Sequence, residues 1–169
     1  MSRVFGPVRQ LGYVVDDVAA AMKHWTEVLG IGPFFYFPKV AALDATYRGE
    51  AQPFEIAVAL SQSGPMQIEL MCQLNDAPSS LLDFKRAHGQ GLHHIAYWTD
   101  AFDATLAGHE VTQRGAIGSR DNRFAYLATE NHAGTVIELS EVSGFKGKLF
   151  AHIADVCAKW DGSAPVRSL

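Results

Sequence analysis

The chain has 169 residues, of which 48% are hydrophobic, which is typical of a single globular domain with a sizeable core. A formal net charge of −4 argues against the basic surface of a nucleic-acid-binding protein. No apolar run approaches the roughly 20 residues needed to span a bilayer. Only two cysteines, Cys72 and Cys157, are present, which argues against a disulfide scaffold. We therefore expect a soluble cytoplasmic protein with neither nucleic acid nor a membrane as partner.

The first half of the chain predicts one helix followed by three strands. Residues 8–15 alternate and are rich in β-branched and aromatic side chains, as in a strand, and apolar residues at helical spacing follow over 18–30. Asp16 or Asp17 is a candidate N-cap of this helix, and Gly30 is a candidate for its end. Candidate strand segments then lie at 34–38, near 45–48, at 54–60 and at 66–73.

The second half repeats this order after a polar connector. A short helix is expected at 79–89 in the connector, a strand at 92–99 and a helix over 100–115, and two strands are expected at 123–130 and 134–141. Beyond them, apolar residues from Phe145 to Trp160 lie at the spacing of an amphipathic helix. This extension could cover a cavity, line a dimer contact or pack on the domain, and packing is the interpretation we favour.

Internal similarity divides the chain into two modules. The run from Gln10 to Tyr13 lines up with the run from His94 to Tyr97, and QIEL ending at Leu70 lines up with VIEL ending at Leu139. We place module 1 at about 7–76, the connector at 77–90, module 2 at about 91–142 and the extension at 143–169. The predicted fold is α+β, with paired βαβββ modules that form an open, cupped mixed β-sheet.

Strand periodicity places four polar side chains on the concave face of this sheet. Alternation along the matched strands puts Gln10, Glu69, His94 and Glu138 on that face, and it puts His93 behind the sheet. Two carboxylates, an imidazole and an amide oxygen suit a divalent cation such as Zn, Co, Ni, Mn or Fe. The alternative is that the carboxylates lie on a solvated face and His94 is a core histidine.

At these residues the sequence resembles the vicinal oxygen chelate superfamily, which includes glyoxalase I, methylmalonyl-CoA epimerase, extradiol dioxygenases and bleomycin-resistance proteins. The run that opens QLGYVVDDVAAAMKHW is similar to the first strand and helix of the family, and QIELMCQLNDAPSSLLDFKRAHGQGLHHIAYWTD is similar to the epimerases. The resemblance implies the paired-module fold, a divalent metal ion held at Gln10, Glu69, His94 and Glu138, and a homodimer.

The resemblance also implies an activity. An enzyme of the epimerase type stabilises the enolate of a carbonyl or acyl-CoA substrate, with Glu138 as one proton-transfer base and Glu55 as the opposed one. Gln10 and Glu69 look more like the ligands of zinc-type glyoxalase I, a lyase, but Val14 and Gln90 stand where that enzyme has its glutathione-binding arginines.

Two further activities stay open. The Gln10 side chain argues against a ring-cleaving dioxygenase, which needs two histidines and a carboxylate. A non-enzymatic binding or resistance protein is the least favoured. Arg120, Arg123 and Lys146 could meet an anionic part of a substrate or lie on a solvated face.

Overall fold

The computed structural model describes residues 1–168, which form ten strands and four helices. Module 1 contains β1 (Gln10–Val14), α1 (Val18–Glu27), β2 (Phe34–Tyr47), β3 (Glu50–Ala51), β4 (Glu55–Ser63) and β5 (Met66–Gln73), and the connector contains α2 (Ser80–His88). Module 2 contains β6 (Gly91–Thr99), α3 (Phe102–Leu106), β7 (Val111–Ile117), β8 (Arg123–Leu127) and β9 (Val136–Glu141), and the extension contains α4 (Phe145–Ala158) and β10 (Val166–Arg167). The expected α+β fold of paired βαβββ modules is confirmed.

Side-chain caps fix the starts of the first two helices. The carboxylate of Asp17 accepts hydrogen bonds from the backbone N–H groups of Ala19 and Ala20, and the hydroxyl of Ser79 accepts one from Leu82. Both caps satisfy donors that the first helical turn leaves free. None of the helices described over residues 1–168 is long and apolar enough to cross a membrane.

The two modules meet at their first strands. β1 and β6 pair antiparallel at the centre of the sheet, β5 pairs parallel with β1 on one side, and β9 pairs parallel with β6 on the other. The order of the main strands is β10-β2-β4-β5-β1-β6-β9-β8-β7. This arrangement makes β5, β1, β6 and β9 the four central strands, each carrying one of the candidate ligands.

The sheet is closed where we had expected an open cup. β2 pairs antiparallel with β7, with Ala42 opposite Ile117 and Tyr47 opposite Gln113. Eight strands therefore form a barrel-like sheet within one chain. Because closure removes both free edges, the interior becomes an enclosed space lined by alternate residues of every strand.

One helix was predicted wrongly. The expected helix at 100–115 is limited to the single short turn of α3, and Gly108 then adopts a positive φ of 80° before β7 begins at Val111. Pairing with both β8 and β2 overrides the weak helical pattern of this segment. This strand is the first of the three that follow the helix of module 2, and it closes the barrel.

The helices cover the two sides of the sheet differently. On the outer face, Val18 and Met22 of α1 pack with Ile68 and Leu70 of β5. On the inner face, α4 packs over the barrel opening with the side chains of Phe150 and Ile153 in the inner core. Of the roles we considered for the extension, the structure therefore favours covering the interior.

Candidate metal centre and cavity

Three of the four predicted ligands come together at the centre of the sheet. Glu69, His94 and Glu138 each offer a ligand atom, and these atoms lie within 4.8 Å of one another. The Nε2 atom of His94 is 3.4 Å from a carboxylate oxygen of Glu69 and 3.1 Å from one of Glu138. The His94 side chain is fully buried, and the two carboxylates are 15% and 8% exposed. Such a group of one imidazole and two carboxylates can hold a divalent metal ion.

Gln10 lies beside this group in the same cavity. Its side-chain nitrogen donates a hydrogen bond to the side-chain oxygen of Gln67 at 2.8 Å, whereas its own Oε1 is buried without a hydrogen-bond partner. A buried amide oxygen without a partner costs free energy unless another group satisfies it. Gln10 thus offers a free oxygen as a metal ligand. It lies on β1, between the strands that carry Glu69 and His94.

The hydrogen bonding of His94 also fits a bound cation. Neither nearby carboxylate oxygen is aligned for a hydrogen bond from its ring, so Nε2 is buried without a hydrogen-bond partner. Together with Oε1 of Gln10, this gives two buried ligand atoms whose bonding capacity no atom of residues 1–168 uses. The residues present therefore fit a divalent cation.

Electrostatics favour the same conclusion. Burial raises the pKa of Glu138, and the nearby Glu69 raises it further, while His94 and Lys146 oppose the shift. Burial lowers the pKa of His94, but the two carboxylates outweigh this effect and the net shift is upward. Two acidic groups that crowd one buried imidazole are costly as bare charges, and a dication would remove that cost.

The His93 ring packs on the interior side of the sheet, against His94 and Tyr126, and not behind the sheet as predicted from strand alternation. A β-bulge interrupts the pairing of β6 with β1, so that Gly12 pairs with His94 and Tyr13 pairs with Leu92. The extra residue brings both histidine rings to the same side. The two rings are in contact, and the His93 ring also packs against Phe84 of α2.

This displaced histidine orients its neighbour. Nδ1 of His93 lies 3.1 Å from Nδ1 of His94, and Nε2 of His93 lies 2.9 Å from the hydroxyl oxygen of Ser80. Burial and the adjacent His94 hold the pKa of His93 well below its ordinary value, so the ring is neutral. If His93 donates to Ser80, its Nδ1 accepts from His94, which leaves the lone pair of His94 Nε2 facing the carboxylates.

A cavity of about 400 Å³ adjoins the metal centre. Its wall is mainly apolar and comes from the barrel interior and from α4, including Phe54, Ile56, Val58, Leu60, Leu149 and Phe150. Tyr126 and Lys146 are its further titratable groups beside Glu69 and Glu138. An apolar cavity with a few convergent polar groups is typical of a small-molecule site.

Sequence reasoning missed Tyr126. It pairs with Glu138 across β8 and β9, so its side chain enters the cavity beside that carboxylate. The phenol is 3% exposed, and its hydroxyl group donates a hydrogen bond to the sulfur of Met71 at 3.9 Å. Burial, with the charges of Glu138 and Glu69, holds the pKa of Tyr126 well above its ordinary value. The signal in the sequence was the alternation in β8, but its register with β9 was unknown.

The structure does not bring Glu55 to this site, and this corrects the expectation that it opposes Glu138. Phe54 and Ile56, its neighbours in the chain, line the cavity, so alternation turns Glu55 to the outer face. There its carboxylate lies 3.0 Å from the amino group of Lys39. Three of the four predicted ligands therefore lie together, and Gln10 lies beside them. Glu55, the predicted second base, lies apart from this group.

Three comparisons place this architecture among known proteins. The profile of the glyoxalase/bleomycin resistance protein/dioxygenase superfamily matches residues 9–126. An uncharacterized protein of Bacillus subtilis (strain 168), YqjC, is 26% identical over 116 residues, which cover 64% of this chain and 81% of YqjC.

Among solved structures, methylmalonyl-CoA epimerase from Mycobacterium tuberculosis superposes with a TM-score of 0.58 at 20% identity, covering 89% of this chain and 95% of the epimerase. A hypothetical protein from Bacillus halodurans C-125 superposes with a TM-score of 0.54 at 19% identity, covering 80% of this chain and 93% of that protein. At these identities the likeness concerns the fold. With its profile matched over more than half of the sequence, the chain belongs to the glyoxalase/bleomycin resistance protein/dioxygenase superfamily.

Proposed function

We propose that this protein is a divalent-metal-dependent enzyme that stabilises the enolate of a carbonyl or thioester substrate, as an epimerase or isomerase. The observation that carries the proposal is the convergence of Glu69, His94 and Glu138 within 4.8 Å at the wall of a ligand-sized cavity. Gln10 is the proposed fourth ligand, through its unbonded Oε1. When bound, the dication would supply electrophilic stabilisation of negative charge on the substrate carbonyl oxygen.

Two residues at the centre, Glu138 and Tyr126, have proposed roles in the reaction. Glu138 is the proposed base, and a carboxylate oxygen of its side chain would take the proton next to the carbonyl group. The phenol of Tyr126 stays protonated, so it can donate a hydrogen bond to the substrate oxygen.

The substrate class is supported by the fold-level likeness to epimerases. One of the similar solved structures is a methylmalonyl-CoA epimerase in complex with methylmalonyl-CoA and NH4+. Epimerisation needs a second proton-transfer group on the opposite face of the substrate, and Glu55 does not provide it here. Water admitted to the cavity is the remaining candidate for that role. A homodimer stays a prediction. All the ligands of the proposed centre come from one chain, so the centre itself does not require a second copy.

Three alternatives differ in their relation to the site. A two-histidine dioxygenase centre is disfavoured because both ring nitrogens of His93 are engaged by Ser80 and His94. A binding protein without catalysis is the second candidate, favoured by the largely apolar wall of the cavity. A glyoxalase-type lyase would use the same ligands and differs by its thiol-bearing substrate.

Proton exchange with solvent tests the proposal. Protein reconstituted with Co²⁺ or Zn²⁺ would be incubated with methylmalonyl-CoA in D₂O, and deuterium incorporation would be followed by mass spectrometry. We expect exchange with the native protein and with Glu55→Gln, whose side chain lies outside the cavity, and we expect its loss with Glu138→Gln. Full exchange by Glu138→Gln would refute the role of Glu138, and stoichiometric binding of the compound without exchange would favour the binding protein.

A further inference from the structure

Lys146 is a buried cation without a matching anion. It is the second residue of α4, it lines the cavity, and it is 8% exposed. Its amino group donates hydrogen bonds to the carbonyl oxygen of Arg123 at 2.8 Å and to the hydroxyl of Ser140 at 3.0 Å. Within residues 1–168, no carboxylate oxygen lies within 4.0 Å of it. A lysine ammonium has three donors, so one is left for a ligand in the cavity.

Local structure does not explain this placement. The first turn of a helix carries a positive partial charge, and a lysine there is unfavourable. α4 has no acidic residue in its first turn to offset it. Buried charges are costly unless they are paired, and buried lysines are rare. A residue that breaks these local rules is expected where function requires it.

The surroundings define the anion that Lys146 could accept. Burial lowers its pKa to about 8, while Glu138, Glu69 and Glu141 act in the opposite direction, so the amino group is charged at neutral pH. With two of its three donors already engaged, the amino group can hold one anionic group. The nearby wall consists of aromatic and aliphatic side chains, among them Phe150 and Leu149. A singly charged group on a compact apolar skeleton satisfies both conditions.

We propose that Lys146 is the anchoring site for a carboxylate, and that the cavity takes a compact organic monocarboxylate whose apolar skeleton lies against the barrel interior. A carboxylate held at Lys146 would leave the rest of the ligand to reach the Glu69–His94–Glu138 centre. The inference rests on the proposed function for the reaction, whereas the anion preference rests on Lys146 and the cavity wall alone.

Matched acids and amides test this site. The probes are phenylacetate, benzoate and 3-phenylpropionate, each against its neutral amide, titrated calorimetrically at pH 7 into metal-stripped and metal-loaded protein. We compare the native protein with Lys146→Gln, which keeps hydrogen-bond donors but loses the charge. Lys148→Gln is the control, since Lys148 is exposed on the same helix. Lys146→Met serves if the glutamine variant fails to unfold cooperatively.

For at least one pair, we expect the native protein and Lys148→Gln to bind the acid about 10- to 100-fold more tightly than the amide, the range for a hydrogen bond to a charged group. The preference should vanish in Lys146→Gln. Equal binding of acid and amide, no binding of any probe, or a preference that survives in Lys146→Gln would overturn the inference. Metal content and proton exchange, measured on the same samples, report separately on the proposed function.

Discussion

The imidazole of His94 occupies the space above Gly12 where any larger residue would carry its side chain. A Cβ atom built on Gly12 would overlap the ring, because the paired β1 and β6 backbones bring His94 directly over this position. Glycine is therefore required here by close approach and not by backbone conformation. The two residues together set how deeply the imidazole sits in the sheet.

Gly12→Ala should displace the ring. We expect a loss of about 1–3 kcal/mol in the free energy of unfolding, as for other overpacked sites, together with weaker metal binding. Thermal unfolding and metal titration of the variant measure both effects. Unchanged stability with unchanged metal affinity would contradict the close approach.

His93→Leu should weaken the metal centre without touching a ligand. The substitution removes the ring nitrogen that lies 3.1 Å from Nδ1 of His94, so the His94 ring loses its fixed orientation, and such changes typically weaken metal affinity about 10- to 100-fold. Competition with a chelator gives the dissociation constant. His88→Leu is the control, because His88 is exposed on α2. Equal affinity in both variants would refute a role for His93 in positioning His94.

Much of this centre was predictable because strand alternation and internal repetition are local patterns. They identified Gln10, Glu69, His94 and Glu138 before any register was known. His93 was misplaced because a bulge reverses the alternation and depends on pairing with β1. Glu55 was assigned by resemblance, although the apolar residues on either side of it already indicated that its side chain points away from them.

The barrel closure was not predictable for a related reason. Residues 111–117 become a strand because β8 and β2 offer backbone partners on both edges, and the segment itself carries little preference. The placement of Lys146 follows from the docking of α4 over the barrel, a long-range contact that the helix's own pattern does not specify.

Tyr126→Phe should lower catalysis while the metal stays bound. A hydrogen bond to a developing negative charge contributes about 1.5–3 kcal/mol, so we expect kcat/KM to fall about 10- to 100-fold. Tyr36→Phe is the control, since Tyr36 packs against the outer core and not in the cavity. Metal content is measured on each preparation. Unchanged kcat/KM in Tyr126→Phe would exclude hydrogen bonding by the phenol in the rate-limiting step.

The ion pair of Arg123 with Glu141 predicts a pH-dependent part of the stability. The guanidinium, 2.7 Å from the carboxylate, holds the pKa of Glu141 below its ordinary value of 4.5. A carboxylate with a lowered folded-state pKa stabilises the protein above its unfolded-state pKa, and this contribution is lost as the pH falls through the folded-state value.

Glu141→Gln should therefore lower the free energy of unfolding at pH 7 by an amount on the order of 1 kcal/mol, given the partly exposed guanidinium. The difference from the native protein should shrink as the pH falls below 4.5. Denaturant unfolding between pH 7 and pH 3 measures it. A difference that is constant across this range would contradict the ion-pair explanation.

The central claim is that Glu69, His94 and Glu138, with Gln10, hold a divalent metal ion, and elemental analysis of the purified protein tests it most directly. The native protein and Glu55→Gln should each contain about one transition-metal ion per chain, and Glu138→Gln should lose it. Glu55→Gln is the matched control, because it makes the same chemical change as Glu138→Gln but on the outer face of the sheet. No metal in the native protein, even after reconstitution, or full retention in Glu138→Gln, would contradict the claim.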